Sequence, residues 1–371
     1  MQNSKPKPIK IFFIIHQMTT GGATRVILNL VNNLERDKFD INLVVFKATG
    51  QLLPQVKEYV KIHNLNSHRV AFGINKLVTL LIREKPEVVF SGITHVNLAV
   101  ALSIPLLKTF LKETLFITRE VNIPSIRAKY LKKSKNMDYI YKRVISRFDL
   151  IVAQSKYMKR DIISSYGVDS KKIVVINNPI DIDNIIKKLN SAKNKNIFPK
   201  DKINIVAVGM LRKQKAFDRL LYVFKLLDNR YHLHIIGEGS ERKTLEELID
   251  KLKISNRVTL HGLQKNPYIY MKMSNLVVLS SLYEGFPNVI LEANACGKFV
   301  IANRCAGVDE EIIIDGLNGT LVESNNYKEF AEAIKKYALT DINPNDIIAT
   351  TKKYHVKNIL KRYTKIFLGE R

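Results

Sequence analysis

Leu276-Val277-Val278-Leu279-Ser280-Ser281-Leu282-Tyr283-Glu284-Gly285-Phe286-Pro287-Asn288-Val289-Ile290-Leu291-Glu292 holds, in order, a strand, a loop and the start of a helix. Residues 276–279 are an unbroken apolar run, the pattern of a strand buried on both faces. Pro287 suits the first position of a helix, where the missing N–H is no loss. Glu284 is then expected in the loop over the strand end and Glu292 about a turn and a half inside the helix. Two acids so placed can accept hydrogen bonds from the hydroxyls of one ligand, which suits sugars and ribose.

The same unit recurs on both sides of this stretch. Residues 9–16, 41–46, 88–90, 115–118 and 150–153 read as buried strands, with helical periodicity over 23–34, 75–84, 97–110 and 157–165. A second series reads as strand 203–208, helix 215–228, strand 232–236, helix 239–253, strands 257–261 and 276–279, helix 287–297 and strand 299–302. Continuous apolar runs separated by helices predict an α/β chain with two doubly wound, Rossmann-like parallel sheets. Residues 1–182 form the first expected domain, a Lys- and Asn-rich stretch at 183–201 reads as the linker, and residues 202–340 form the second. Beyond Asp341 the chain reads as a long basic helix, expected to pack back on the first domain. In such sheets ligands sit beyond the carboxyl ends of the strands, so the chemistry belongs in the loops that follow them.

The 371 residues suit two domains, and 46% apolar with 25% charged residues excludes disordered and collagen-like classes. No stretch reaches the roughly 18 apolar residues of a bilayer span, and the lysines before residues 11–15 precede too short an apolar run for a secretory signal. Cys296 and Cys305 form neither a disulfide framework nor a zinc pattern, which fits a cytoplasmic setting and a packing role. The net charge of +26 sits mostly in residues 1–200, where 34 Lys and Arg face 14 Asp and Glu. Its densest part runs from Arg127 to Arg147, with Lys132, Lys133, Lys135, Lys142 and Arg143 interleaved with Tyr and Ile and opposed by Asp138. Such a run suits a solvated helix, an anionic membrane surface or nucleic acid, but no recognised nucleic-acid motif accompanies it.

Three other loops carry candidate residues. Gly21-Gly22 opens the helix after the first strand, where adjacent glycines let a phosphate or sugar approach the backbone N–H groups. Gly209-Met210-Leu211-Arg212-Lys213-Gln214-Lys215 follows the first strand of the second series, with three cations suited to a diphosphate. Gly237-Glu238-Gly239 lacks the third glycine of a dinucleotide fingerprint. His16 reads as a loop hydrogen-bonding residue.

Glu284 and Glu292 form an E-x7-E motif. With Gly21-Gly22, residues 149–155, Asn178-Pro179-Ile180-Asp181, the loop from Gly209 to Lys215, Gly237-Glu238-Gly239 and residues 311–319, the chain resembles the retaining GT-B glycosyltransferases of family 4, notably those that build bacterial surface polysaccharides. The resemblance implies two domains facing a central cleft, the first binding an acceptor and the second a nucleotide-sugar, expected to be a UDP-sugar. It implies that Glu292 binds the ribose hydroxyls and Glu284 the transferred sugar, while Lys215 and a nearby arginine hold the diphosphate. Gly21, Gly22, Gly209, Gly285, Phe286, Pro287 and Asn288 complete the expected donor site. It also implies retention with no metal or cofactor, the departing phosphate taking the acceptor proton. With the basic first half, the expected partners are a lipid-linked saccharide acceptor and an anionic membrane surface, with no specific nucleic acid, for a cytoplasmic protein attached peripherally to the inner face of the membrane.

The chain departs from the family at three places. Met210 stands where the family has an arginine, so Arg212 is the candidate replacement, and Ala216 stands for the glycine after Lys215. In place of a first-domain histidine stands Arg119-Glu120-Val121-Asn122-Ile123-Pro124, which makes Glu120 a candidate catalytic group on the acceptor side. Asp181-Ile182-Asp183 looks like a D-x-D metal motif but falls in the approach to the linker. A nucleotide-sugar epimerase on the same architecture and a basic nucleic-acid-binding protein are the alternative readings.

Overall fold

A computed structural model describes residues 7–19, 21–130, 135–191, 197–308 and 311–370. Lys132 and Lys133 of the basic run, expected with Lys135, Lys142 and Arg143 to be the membrane-facing cations, lie outside the described residues, as does the side chain of Lys135. The chain divides into two units, residues 1–179 with 356–371 and residues 180–355.

The first unit alternates strand and helix: β1 (Ile9–Ile15), α1 (Gly22–Asn33), β2 (Phe39–Val45), β3 (Lys61–Asn64), α2 (Val70–Glu84), β4 (Val88–Ser91), α3 (Thr94–Phe110), β5 (Leu115–Arg119), α4 (Pro124–Tyr130), α5 (Lys135–Val144), β6 (Leu150–Ala153), α6 (Lys156–Tyr166) and β7 (Ile173–Val175). Its strands form one parallel sheet in the order β3-β2-β1-β4-β5-β6-β7. Phe13 of central β1 pairs with Leu43 on one side and Phe90 on the other. Residues Ile11 to Ile15 are fully buried because helices cover both faces, which is why they form an unbroken apolar run.

The far end of the chain completes this core. The last helix of the chain, which runs from Val356 to Phe367, sets the Phe367 ring edge-on to Phe13, Phe39 and Phe90, with centroids 5.8, 6.2 and 5.5 Å away.

The second unit contains α7 (Ile182–Asn190), β8 (Ile203–Val208), α8 (Phe217–Lys225), β9 (Tyr231–Ile236), α9 (Arg242–Lys251), β10 (Val258–Leu260), α10 (Pro267–Met273), β11 (Leu276–Leu279), α11 (Asn288–Ala295), β12 (Val300–Arg304), β13 (Gly319–Glu323), α12 (Tyr327–Tyr337) and α13 (Pro344–Ala349). The helix from Val356 to Phe367 follows as α14. The second sheet is parallel, in the order β10-β9-β8-β11-β12-β13. In both sheets the order reverses beside the first strand, between β1 and β4 and between β8 and β11. Diverging loops leave a crevice at such a point.

Two stretches differ from the sequence reading. Residues 183–201 are not simply a link, because α7 starts at Ile182 and buries Ile182 and Ile185 in the second core. The Asp181 side chain caps α7 by accepting from the Asn184 N–H at 3.0 Å, which gives the first acid of the D-x-D pattern a structural task. The single helix expected beyond Asp341 is two. The chain turns extended at His355, Tyr354 is buried, and the Tyr354 carbonyl accepts from the Ile180 N–H at 2.9 Å, so the break is fixed by pairing with the segment before α7.

Candidate functional site

The loops after β8 and β11 meet at the second switch point. The Leu282 N–H donates to the Gln214 carbonyl at 2.8 Å, and Gln214 Nε2 donates to the Tyr283 carbonyl at 2.9 Å. The Ser280 hydroxyl donates to the Lys215 carbonyl at 2.8 Å. So stitched, the loops bring Lys215 Nζ within 2.6 Å of Glu284 Oε1, and Ser281 Oγ donates to the same oxygen at 2.6 Å. The Glu284 side chain is 8% exposed and that of Lys215 19%, so water screens the pair little while one side stays open.

Glycines make the approach possible. A Cβ on Gly209 would stand 3.3 Å from Cδ and Cε of Lys215, so the bare backbone gives the lysine its path. Gly237 has a φ of 149°, and a Cβ there would stand 1.9 Å from the Gly209 carbonyl oxygen. The motif at 237–239 therefore packs the loop after β9 under the loop after β8. Lys215 ends a short 3-10 turn, Lys213–Lys215, and Ala216 follows with a φ of 49°, the left-handed conformation that favours glycine.

The remaining donor-site candidates divide between backbone and side chain. Pro287 is the residue before α11 rather than its first residue. Phe286 is buried with its ring against Tyr354, so its backbone, not its ring, is available at the site. Glu292 lies on α11, half-buried, and Gly285 and Asn288 are also half-buried. Arg212 is exposed beside an exposed Met210. Cys305 lies near this pair, and burial followed by the charge of Glu284 pushes its thiol up to about 12.

In the first unit Gly21 is the N-cap of α1 and Gly22 its first residue, and no side chain caps that end. A Cβ on Gly21 would meet only Thr24 Oγ1 at 4.0 Å. The first-turn N–H groups at that end of α1 thus have no side-chain cap. Glu120 directly follows β5 and is 1% exposed. Its Oε1 accepts from the Tyr141 hydroxyl of α5 and from Asn97 Nδ2 of α3, the latter at 3.5 Å, and its carbonyl accepts from Gln154 Nε2 at 2.5 Å. Burial, then the charge of Glu120, pushes the Tyr141 phenol well above its ordinary range. The structure thus places Glu120 inside a network that joins β5, α3 and α5, not at an open surface.

His95, which the sequence reading did not single out, stands exposed at the start of α3, its ring 5.3 Å from that of His16 across the first switch point. Its position three residues past Gly92, the glycine that follows β4, was the available signal. His16 Nε2 is 3.3 Å from the His68 carbonyl oxygen, a loop hydrogen bond. Among the described residues no group of three or more His, Cys, Asp or Glu is arranged to hold a metal ion.

Residues 160–354 match the family model described as glycosyl transferases group 1, and residues 20–184 match that described as glycosyltransferase family 4. An uncharacterized glycosyltransferase of Methanocaldococcus jannaschii is 33% identical over 66% of this chain and 62% of its own length, so the chain spans less than two thirds of that relative. The N-acetylgalactosamine-N,N'-diacetylbacillosaminyl-diphospho-undecaprenol 4-alpha-N-acetylgalactosaminyltransferase of Campylobacter jejuni is 27% identical over 88% of this chain and 89% of its own. Among solved structures, the lipopolysaccharide outer core galactosyltransferase WaaB superposes with a TM-score of 0.76 at 20% identity, covering 97% of this chain and 99% of that one. Anabaena HepE in complex with UDP-glucose gives 0.77 at 19% identity, covering 97% and 100%. At such identities the likeness shows the fold, which is GT-B.

Proposed function

The chain belongs to the glycosyl transferases group 1 family, and from that premise we propose that it moves a sugar from a UDP-sugar onto a lipid-linked saccharide in bacterial surface-polysaccharide assembly, with retention and without a metal. The observation that carries this reading is the contact of Lys215 with Glu284 at the second switch point. An ammonium has three N–H donors, so the contact leaves donors for the oxygens of a diphosphate. Glu284 takes a hydroxyl of the transferred sugar and Glu292 the ribose hydroxyls. The backbone of Gly209 and of the segment Gly285 to Asn288 lines the donor, Arg212 supplies a second cation, and Gly21 and Gly22 offer the N–H groups of α1.

In the reaction the bond from the anomeric carbon to the phosphate oxygen breaks and the diphosphate leaves with the electron pair. The acceptor hydroxyl oxygen bonds to the same face of that carbon, and its proton passes to the departing phosphate. Lys215 stabilises the charge that develops on the leaving group. Glu120, held by Tyr141 and Asn97, positions the acceptor side of the first unit.

Two facts support a lipid-linked acceptor: the basic first half of the chain, and the diphospho-undecaprenol-linked acceptor named for the Campylobacter relative. Among the described residues no helix is long and apolar enough to cross a membrane, and Lys142 and Arg143 are exposed on α5. Peripheral attachment at the cytoplasmic face suits both facts.

The test is transfer from a panel of UDP-sugars to a polyprenyl-diphosphate saccharide, with and without EDTA, and NMR of the product. The expected product keeps the donor's anomeric configuration and forms in EDTA. An inverted product, or a loss of transfer that added metal restores, contradicts the reading.

A further inference from the structure

Surface helices turn apolar residues inward and polar ones outward, and α3 does not. Between Thr94 and Leu107 it carries no Lys, Arg, Asp or Glu. Its inward faces are filled by residues such as Ala99, Val100, Ile104 and Leu107. Its outward face is apolar too: Leu102, Leu106 and Phe110, one turn apart in succession, are 45%, 54% and 60% exposed. Pro105 lies on the same face and is also exposed.

The neighbouring helix supplies a matching border. Helix α5 packs beside α3, turning Tyr141 into the core and leaving Tyr139 and Ile140 59% and 44% exposed. The Arg143 guanidinium lies 3.7 Å from the centroid of the Tyr139 ring, and Lys142 and Arg147 are exposed nearby. Arg147, in the short turn Ile145–Arg147 that follows α5, ties that turn to α3. Pro105 has no N–H for the Ala101 carbonyl, and Arg147 Nη1 donates to that carbonyl at 3.3 Å instead. Lys112 stands exposed just past the end of α3, with Glu113 as the acid beside it.

We propose that the outward faces of α3 and α5 form a docking surface for an anionic lipid bilayer, with Leu102, Leu106 and Phe110 entering the headgroup boundary and the cations of α5 meeting lipid phosphates. Apolar side chains bordered by an aromatic ring and cations are the composition of an interfacial element. A second copy of the chain fits the surface less well, because a two-fold contact would bring the same cationic borders together. The surface deepens the membrane part of the proposed function and rests on it. It moves the apolar contribution from the 127–147 run to α3, whose first turn carries His95 at the switch point of the first sheet.

The chain contains no tryptophan, so Leu106→Trp provides a single fluorescent reporter. In the full-length protein its emission is expected to shift to the blue with vesicles of phosphatidylglycerol and phosphatidylcholine, and to stay unchanged with phosphatidylcholine alone. The triple variant Leu102→Gln, Leu106→Gln, Phe110→Gln is expected to lose about tenfold or more in vesicle partitioning, with its melting temperature and UDP-sugar hydrolysis unchanged. No shift with the anionic vesicles, or partitioning of the triple variant equal to that of the parent, overturns the proposal. A blue shift that grows with protein concentration in the absence of lipid assigns the surface to a second copy and also overturns it. Hydrolysis of UDP-sugars by the parent reads the glycosyltransferase function separately, so failure of one claim is distinguishable from failure of the other.

Discussion

Ala216 carries a measurable strain beside the candidate site. It follows Lys215 directly, is buried, and adopts a φ of 49°, which costs any residue with a Cβ. The conformation is required because the chain must leave the short turn that presents Lys215 and enter α8 within one residue. Ala216→Gly is therefore expected to stabilise the protein by about 1 kcal/mol, measured by denaturant unfolding. An unchanged or lowered stability would mean that the surrounding packing, not the backbone, sets the energy there. The departure from the family at this position thus alters strain, while the neighbouring lysine still reaches Glu284.

At the scale of elements, strand β9 and the residue just after its neighbour β10 place three histidines, His232, His234 and His261, in one row. The His234 ring stacks on His232 at 4.4 Å and on Phe198 at 4.1 Å, and its Nδ1 is 2.9 Å from Nε2 of His261. Burial lowers all three pKa values, that of His234 to about 3 with help from its two neighbours. The folded state therefore refuses protons that the unfolded chain accepts below about 6.5. This contribution to stability is complete above that pH and is lost as the pH falls from 6.5 towards 3, at up to about 1.4 kcal/mol per pH unit for His234. Unfolding experiments at successive pH values should show a shallower acid slope for His234→Gln than for the parent, and equal slopes would contradict the linkage. The row was not legible in the sequence, because it depends on which strands are neighbours. Strands such as β1, β6 and β11 were legible as buried apolar runs, and the acids Glu284 and Glu292 as features of a strand-loop-helix unit. Edge strand β3 was not, since Lys61, Ile62 and Asn64 face solvent and leave no apolar run. Helix α7 was hidden by a polar stretch in which two isoleucines, Ile182 and Ile185, carry the burial.

At the scale of the whole molecule, topology decides which residues meet. The last helix fills the core of the first unit although it is the last element in the chain. Lys215 and Glu284 are 69 residues apart and touch because a crossover places β11 beside β8. Their two loops could be read separately from the sequence, whereas their contact required the strand order. The central claim is that this contact marks the donor site, and the most direct measurement compares UDP-sugar turnover by Lys215→Ala and Lys213→Ala in the full chain. Both lysines belong to the same short turn, and Lys213 is exposed. The expected result is a loss of about 100-fold or more for Lys215→Ala, with Lys213→Ala within a few-fold of the parent. Equal losses in the two variants, or full turnover without Lys215, would contradict the assignment of the site.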